Sequence, residues 1–238
     1  MRIVSWNCAG AYRDKIHKIL ELKPDIAVIQ ECECLDALRE SRKDKIPQKS
    51  LWFSDIDHNK GVGIFFYDDS EILSIEYYSR IEFIVPLRIK SKFEFYFFAI
   101  WAMQGRGEGV AYTGQIERAV NKFYKNILMK HPSVLIGDYN SPNIELPVDK
   151  PRINYSLVDS LKELNIVSAY HEHFKVEYGE HKHHTFYQHR KRDFKHMLDY
   201  CFTSRPLIEK IIKVEVGDYD DWIEFSDHCP LIVDFDFT

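Results

Sequence analysis

Nowhere in this sequence do eighteen apolar residues run together, so no segment has the character of a membrane-spanning helix. The amino terminus lacks the basic stretch and apolar run of a secretory leader, and no such signal is expected from it. Cysteine is sparse and odd in number: Cys8, Cys32, Cys34, Cys201 and Cys229, with only Cys32 and Cys34 close together. That spacing fits neither a disulfide framework nor a zinc ribbon. The thiols read as buried side chains in a reducing compartment, and a cytoplasmic location is expected. Positive charge is in deficit, the net charge being -5. A broad basic face for wrapping long duplex is thereby disfavoured, because neutralised phosphates supply most of that affinity; a small basic cleft stays compatible. No low-complexity linker or solenoid-period repeat breaks the chain, so residues 1–238 are expected to form one domain.

What is present points to a sheet-rich interior. Sixteen Phe and fourteen Tyr accompany a hydrophobic share of 45%, enough for a substantial core. Arg2 to Trp6 alternates and predicts a strand ending at Asn7, followed by a helix from Tyr12 to Leu22 that stops before Pro24. The apolar run from Asp25 to Gln30 predicts a strand buried on both faces. From Trp52 to Trp101 the pattern predicts a strand meander, then a helix over Thr113 to Lys130 and a buried strand from Ser133 to Gly137. Ser156 to Asp159 matches a capping box and predicts a helix start. Strands over Met197–Thr203, Ile211–Gly217 and Leu231–Phe237 close the chain. Two stacked mixed sheets covered by outer helices would satisfy this order.

The polar residues are the stronger clue. Asn7, Glu31, Asp138 with Asn140, Asp199, and Asp227 with His228 all adjoin apolar strands. Groups collected at strand ends are how a rigid scaffold presents a site. Their oxygens suit a hard cation, Mg2+ or Mn2+, better than zinc.

Taken in order, Ser5-Trp6-Asn7, Ile29-Gln30-Glu31, Gly137-Asp138-Tyr139-Asn140-Ser141, Leu198-Asp199-Tyr200 and Ser226-Asp227-His228-Cys229-Pro230 resemble the endonuclease/exonuclease/phosphatase superfamily. The resemblance runs from residue 5 to residue 230 and implies a four-layer α/β/β/α sandwich with its site at one end of the sheets. It implies metal contacts from Asn7, Glu31 and Asp227. It further implies Asp138 as the group acting on the attacking water, Asn140 as an amide holding water or phosphate, and His228 touching the phosphate with Asp199 fixing its tautomer.

The sequence departs from the family after Ile100. Trp101 and Gln104 stand where many members carry a His or Tyr, and Trp cannot act as an acid in this pH range. Ala9 also replaces an acidic residue common in abasic-site endonucleases. Trp101, Gln104, Arg106, His184 and Tyr187 are candidate substrate contacts. The last two belong to a His-, Lys- and Arg-rich segment over 181–196, which reads either as a solvated loop or as a basic aromatic flap on a phosphate backbone. The expected function is metal-dependent hydrolysis of a phosphodiester in nucleic acid. A small phosphoester substrate and a non-catalytic phosphate-binding module are the alternatives, and no protein partner is implied.

Overall fold

A computed structural model describes residues 1–54, 59–77, 83–103, 112–141 and 153–237, with Thr113 and residues 153–156 by backbone alone. The strands are, in chain order, β1 (Arg2–Asn7), β2 (Ile26–Cys32), β3 (Ser50–Phe53), β4 (Gly61–Phe66), β5 (Glu71–Ile75), β6 (Ile84–Lys90) and β7 (Glu94–Trp101). They continue with β8 (Ser133–Asp138), β9 (Ile166–Ser168), β10 (Phe186–Tyr187), β11 (Lys195–His196), β12 (Asp199–Ser204), β13 (Ile211–Val216) and β14 (Leu231–Phe235). One six-stranded sheet runs β13-β14-β1-β2-β4-β3, the other β5-β6-β7-β8-β12-β9, and β10 and β11 form a separate ribbon.

Side-chain alternation explains the layering. Ile3, Ile26, Val28, Ile64 and Phe66 of the first sheet join a core shared with the second sheet. Their neighbours Val4, Trp6, Ala27, Ile29 and Phe65 point the other way, onto Tyr12, Ile16 and Ile19 of α1 (Tyr12–Glu21) and Leu38 of α2 (Leu35–Arg42). On the far side of the second sheet lie α3 (Thr113–Arg118), α4 (Lys125–Lys130) and α5 (Ile153–Glu163), which contribute Ile116, Leu128, Leu157 and Leu161. The expected α/β/β/α sandwich is the fold this chain adopts.

Three expectations need adjustment. The meander is split: β3 and β4 belong to the first sheet, and the chain crosses to the second before β5. The helix over 113–130 is interrupted by a π-helical turn at Ala119–Phe123, where Tyr124 N donates to Ala119 O. Tyr124, directly after this turn, is buried with its ring edge-on against Phe98. The helix expected from Ser156 begins at Ile153.

Short helices complete the chain: α6 (Ala169–Phe174), α7 (Arg205–Ile208) and α8 (Tyr219–Trp222). No helix among the described residues is long and apolar enough to cross a membrane.

Candidate active site

β1 and β2 run parallel, and both point their carboxyl ends to one edge of the first sheet. β8 delivers Asp138 as its last residue, and antiparallel β12 begins with Asp199 directly opposite. The turn before β14 carries Asp227 and His228 to the same edge, since β14 is antiparallel to β1. Strand direction alone thus gathers residues separated by more than two hundred positions.

Local devices then aim them. Glu31 sits at a β-bulge in the β2–β4 pairing with φ of 56°, a left-handed conformation that turns its side chain out of regular alternation. Asn140 also lies in the left-handed region, and its backbone N–H donates to Asp138 Oδ1 at 2.7 Å. The Asn140 amide donates to Ala102 O at 3.1 Å. Ser226 Oγ donates to Asn7 O at 2.7 Å and accepts from His228 N at 3.1 Å, tying the turn to the end of β1. Trp6 Nε1 holds His228 O at 2.8 Å while its ring meets Trp222 edge-on.

The centre crosses the seam between sheets. Buried Asn7 donates through Nδ2 to Glu31 Oε1 at 3.2 Å and to Asp138 Oδ2 at 3.0 Å. One amide therefore spans a carboxylate from each sheet. Its Oδ1 accepts from Ala9 N at 3.0 Å, so in this arrangement Asn7 organises carboxylates rather than offering an oxygen outward. Beneath it, Gln30 donates from β2 to Ser5 Oγ and to Ile100 O, a second link between the sheets.

His228 Nδ1 lies 2.9 Å from Asp199 Oδ2, with both side chains buried. Burial opposes a charge on the imidazole, but the carboxylates of Asp199 and Asp138 outweigh it and raise the pKa to about 9. Nδ1 then donates to Asp199. Burial lifts the Asp138 carboxyl to about 7, against the pull of the His228 charge. Among the described residues no hydrogen-bond partner meets the buried Asp199 Oδ1, and Oδ2 is the oxygen that faces the imidazole. Asp138, Asp199 and His228 also approach within 4.8 Å of one another as ligand atoms would. A charged His already donating to Asp199 is a poor metal ligand, and the trio fits proton handling better.

A hard cation suits the other half of the site. Glu31 is partly exposed, Asp227 half-buried, and both offer only oxygen. The Lys60 ammonium already lies 2.7 Å from Glu31 Oε2. A positive group at this carboxylate is what the donor set calls for, and the residues present fit a divalent ion.

Other sequence candidates are placed differently. Trp101 lies opposite Asp138 in the β7–β8 register but is only 4% exposed, its ring edge-on to Phe83 and its Nε1 without a partner among the described residues. Tyr187 is buried against Tyr219, and its N–H donates to Asp227 O. His184 is half-buried two residues before Phe186. Gln104 and Arg106 lie outside the described residues.

Sequence reasoning missed three neighbours. Thr185 Oγ1, fully buried, accepts from Leu198 N and Asp199 N at 2.9 and 3.0 Å, fixing the start of β12. The Phe186 ring lies 4.8 Å from His228. Lys60 is the third. Thr185 and Phe186 stood inside the basic aromatic segment, which was the available signal; Lys60 had none.

A two-sheet α/β sandwich with a carboxylate, amide and imidazole cluster at one edge defines a phosphoesterase-type scaffold. The chain belongs to the Endonuclease/Exonuclease/phosphatase family, whose pattern it matches over residues 4–228. Among curated proteins it is 23% identical over 256 aligned positions to Recombination repair protein 1 of Drosophila melanogaster, covering 99% of this chain and 37% of that protein. The chain thus spans little more than a third of that relative's length. Among solved structures it resembles an AP endonuclease from Archaeoglobus fulgidus, with a TM-score of 0.74, 19% identity and 99% of each chain covered. It also resembles a 3' phosphatase, NExo, from Neisseria bound to a product DNA hairpin, with a TM-score of 0.74, 18% identity and 99% of each chain covered.

Proposed function

We propose that the protein is a Mg2+- or Mn2+-dependent phosphodiesterase acting on nucleic acid, a nuclease or repair-type enzyme. The observation that carries this reading is the Asn7 amide joining Glu31 to Asp138 beside an imidazole held on Asp199. A divalent cation bound through Glu31 and Asp227 would neutralise charge building on the phosphoryl oxygens. Asp138, aligned by Asn7 and the Asn140 N–H, takes a proton from the water that attacks phosphorus. Asn140, its amide nitrogen committed to Ala102 O, presents Oδ1 to that water. His228 donates from Nδ1 to Asp199, leaving Nε2–H for a non-bridging phosphate oxygen. Trp101 has no ionisable proton to give the leaving oxygen.

Nucleic acid as the substrate is supported by the turn between β10 and β11, where Lys191 and Lys195 flank a Phe194 that is 54% exposed. The relatives' names point the same way: an AP endonuclease, a phosphatase bound to DNA and a recombination repair protein. No observation favours a small ester. The five free thiols suit a reducing compartment, and we assign the protein to the cytoplasm.

Labelled duplex, single-stranded and abasic-site oligonucleotides, incubated with Mg2+ or Mn2+, test the proposal. Cleavage is expected with metal and none with chelator. Glu31→Ala and His228→Ala should each lose roughly 2.7–4 kcal/mol or more of transition-state stabilisation, by analogy with loss of one charge-stabilising group. Turnover of small phosphate esters alone would remove nucleic acid as the substrate. One common background rate for wild type and variants would remove catalysis.

A further inference from the structure

Lys60 has no part in the reaction outlined above, yet its ammonium reaches into the site. It precedes β4, and its Nζ lies 2.7 Å from Glu31 Oε2. Its stem crosses Gly10, where an added Cβ would sit 3.2 Å from Lys60 Cε and 3.3 Å from Nζ. Gly10 has a φ of 77°, so glycine serves both the turn after β1 and the bare path the lysine follows. Asp227 and Glu31 both attract the Lys60 charge. The ammonium thus sits on one of the two carboxylates proposed to hold the metal and is attracted by the other. The other Glu31 oxygen is held by Asn7, so both carboxylate oxygens are engaged.

We propose that Lys60 is a tethered counter-ion of the metal centre: it neutralises Glu31 in the metal-free protein, and a divalent ion must displace it to bind. The inference rests on the function proposed above. A carboxylate turned out of its strand in a left-handed conformation, with a second carboxylate nearby, would otherwise repel its neighbours until metal arrived. A lysine suits this task because its flexible stem lets a compact charge move aside without refolding the strand. At 47% exposure the Lys60 side chain has water to move into. The consequence is a metal affinity lowered by the competing ion pair and by repulsion from the displaced ammonium.

The test is Mn2+ binding by titration calorimetry on the full chain without substrate, together with thermal midpoints with and without Mn2+. Lys60→Met should bind Mn2+ roughly three- to tenfold more tightly than wild type, the range open to a half-exposed ion pair plus nearby repulsion. Lys60→Arg, which keeps the charge, should stay near the wild-type affinity. The metal-free midpoint of Lys60→Met should fall, and its rise on adding Mn2+ should exceed that of wild type. Equal or weaker Mn2+ binding by Lys60→Met overturns the counter-ion role and leaves the metal site standing. Absence of Mn2+ binding in every variant overturns the metal-dependent function and this inference with it.

Discussion

His228 and Asp138 are two buried groups whose protonation is set by each other and by Asp199. The imidazole, raised to about 9, is charged at neutral pH, while the Asp138 carboxyl, raised to about 7, is partly ionised there. The roles proposed for them need opposite forms: Asp138 ionised to accept a proton, and His228 charged to donate. The expected kcat/KM therefore climbs as pH rises through about 7 and declines above about 9, a bell with two separable limbs. His228→Asn should lower the rate and erase the alkaline limb while keeping the acid one. Steady-state rates at fixed free metal from about pH 5.5 to about pH 9.5 would show this. A descending limb surviving in His228→Asn would free His228 of the role. That these residues gather in one place could be read in the sequence because the proposed chemistry calls for particular types at strand ends. Lys60 was not, because its contact with Glu31, 29 positions away, depends on β2–β4 register and on the bulge that rotates Glu31. No side-chain pattern encodes either.

β1, β2 and β8 carry apolar stretches that fix their faces, so their existence could be read in the sequence, with ends one or two residues short for β2 and β8. Partnering was less visible. The alternating segments from Trp52 to Trp101 carry the same signal whichever sheet they join, so the crossing between β4 and β5 left no mark. The π-turn before Tyr124 was hidden for a related reason: helical spacing on either side of one extra residue looks continuous. Close strand contact is sharper. A Cβ on Gly137 would lie 1.9 Å from Ile100 O, and the residue has φ of 155°, so β8 approaches β7 only as glycine. Gly137→Ala must move a backbone carbonyl immediately beside Asp138. Its cost should be about 3 kcal/mol or more, with activity falling further than stability explains. Urea unfolding measures the first; a loss under about 0.5 kcal/mol, the range of a neutral surface change, would mean the strands can part.

Across the whole molecule, the 181–196 segment links the candidate active site to a buried histidine in α6. Tyr170 OH, in α6, accepts from Lys182 N and His183 N at 2.9 and 3.0 Å, and Thr185 then holds the start of β12. Beside Tyr170, His171 Nε2 lies 3.1 Å from His181 Nε2, while Nδ1 meets Ser168 Oγ at 2.7 Å and the ring stacks on Tyr178. Two facing ring nitrogens at this distance can share one proton, and a proton on each would set N–H against N–H. Burial first, then the charges of His181 and Lys162, lower the His171 pKa to about 3. The unfolded chain keeps an ordinary histidine near 6.5. Between those values the unfolded state binds a proton that the folded state refuses, so stability is intact above about 6.5 and drains away as pH falls toward 3. Each pH unit in that window removes up to about 1.4 kcal/mol through this one site. His171→Gln, which can still hydrogen-bond, should flatten the slope of unfolding free energy against pH by about one proton, measured by urea titrations across the window. Parallel slopes for wild type and variant would locate the acid sensitivity elsewhere. A flattened slope would mean that the docking of the segment positioning Asp199 depends on a neutral His171, a coupling that no spacing of histidines in the sequence expresses.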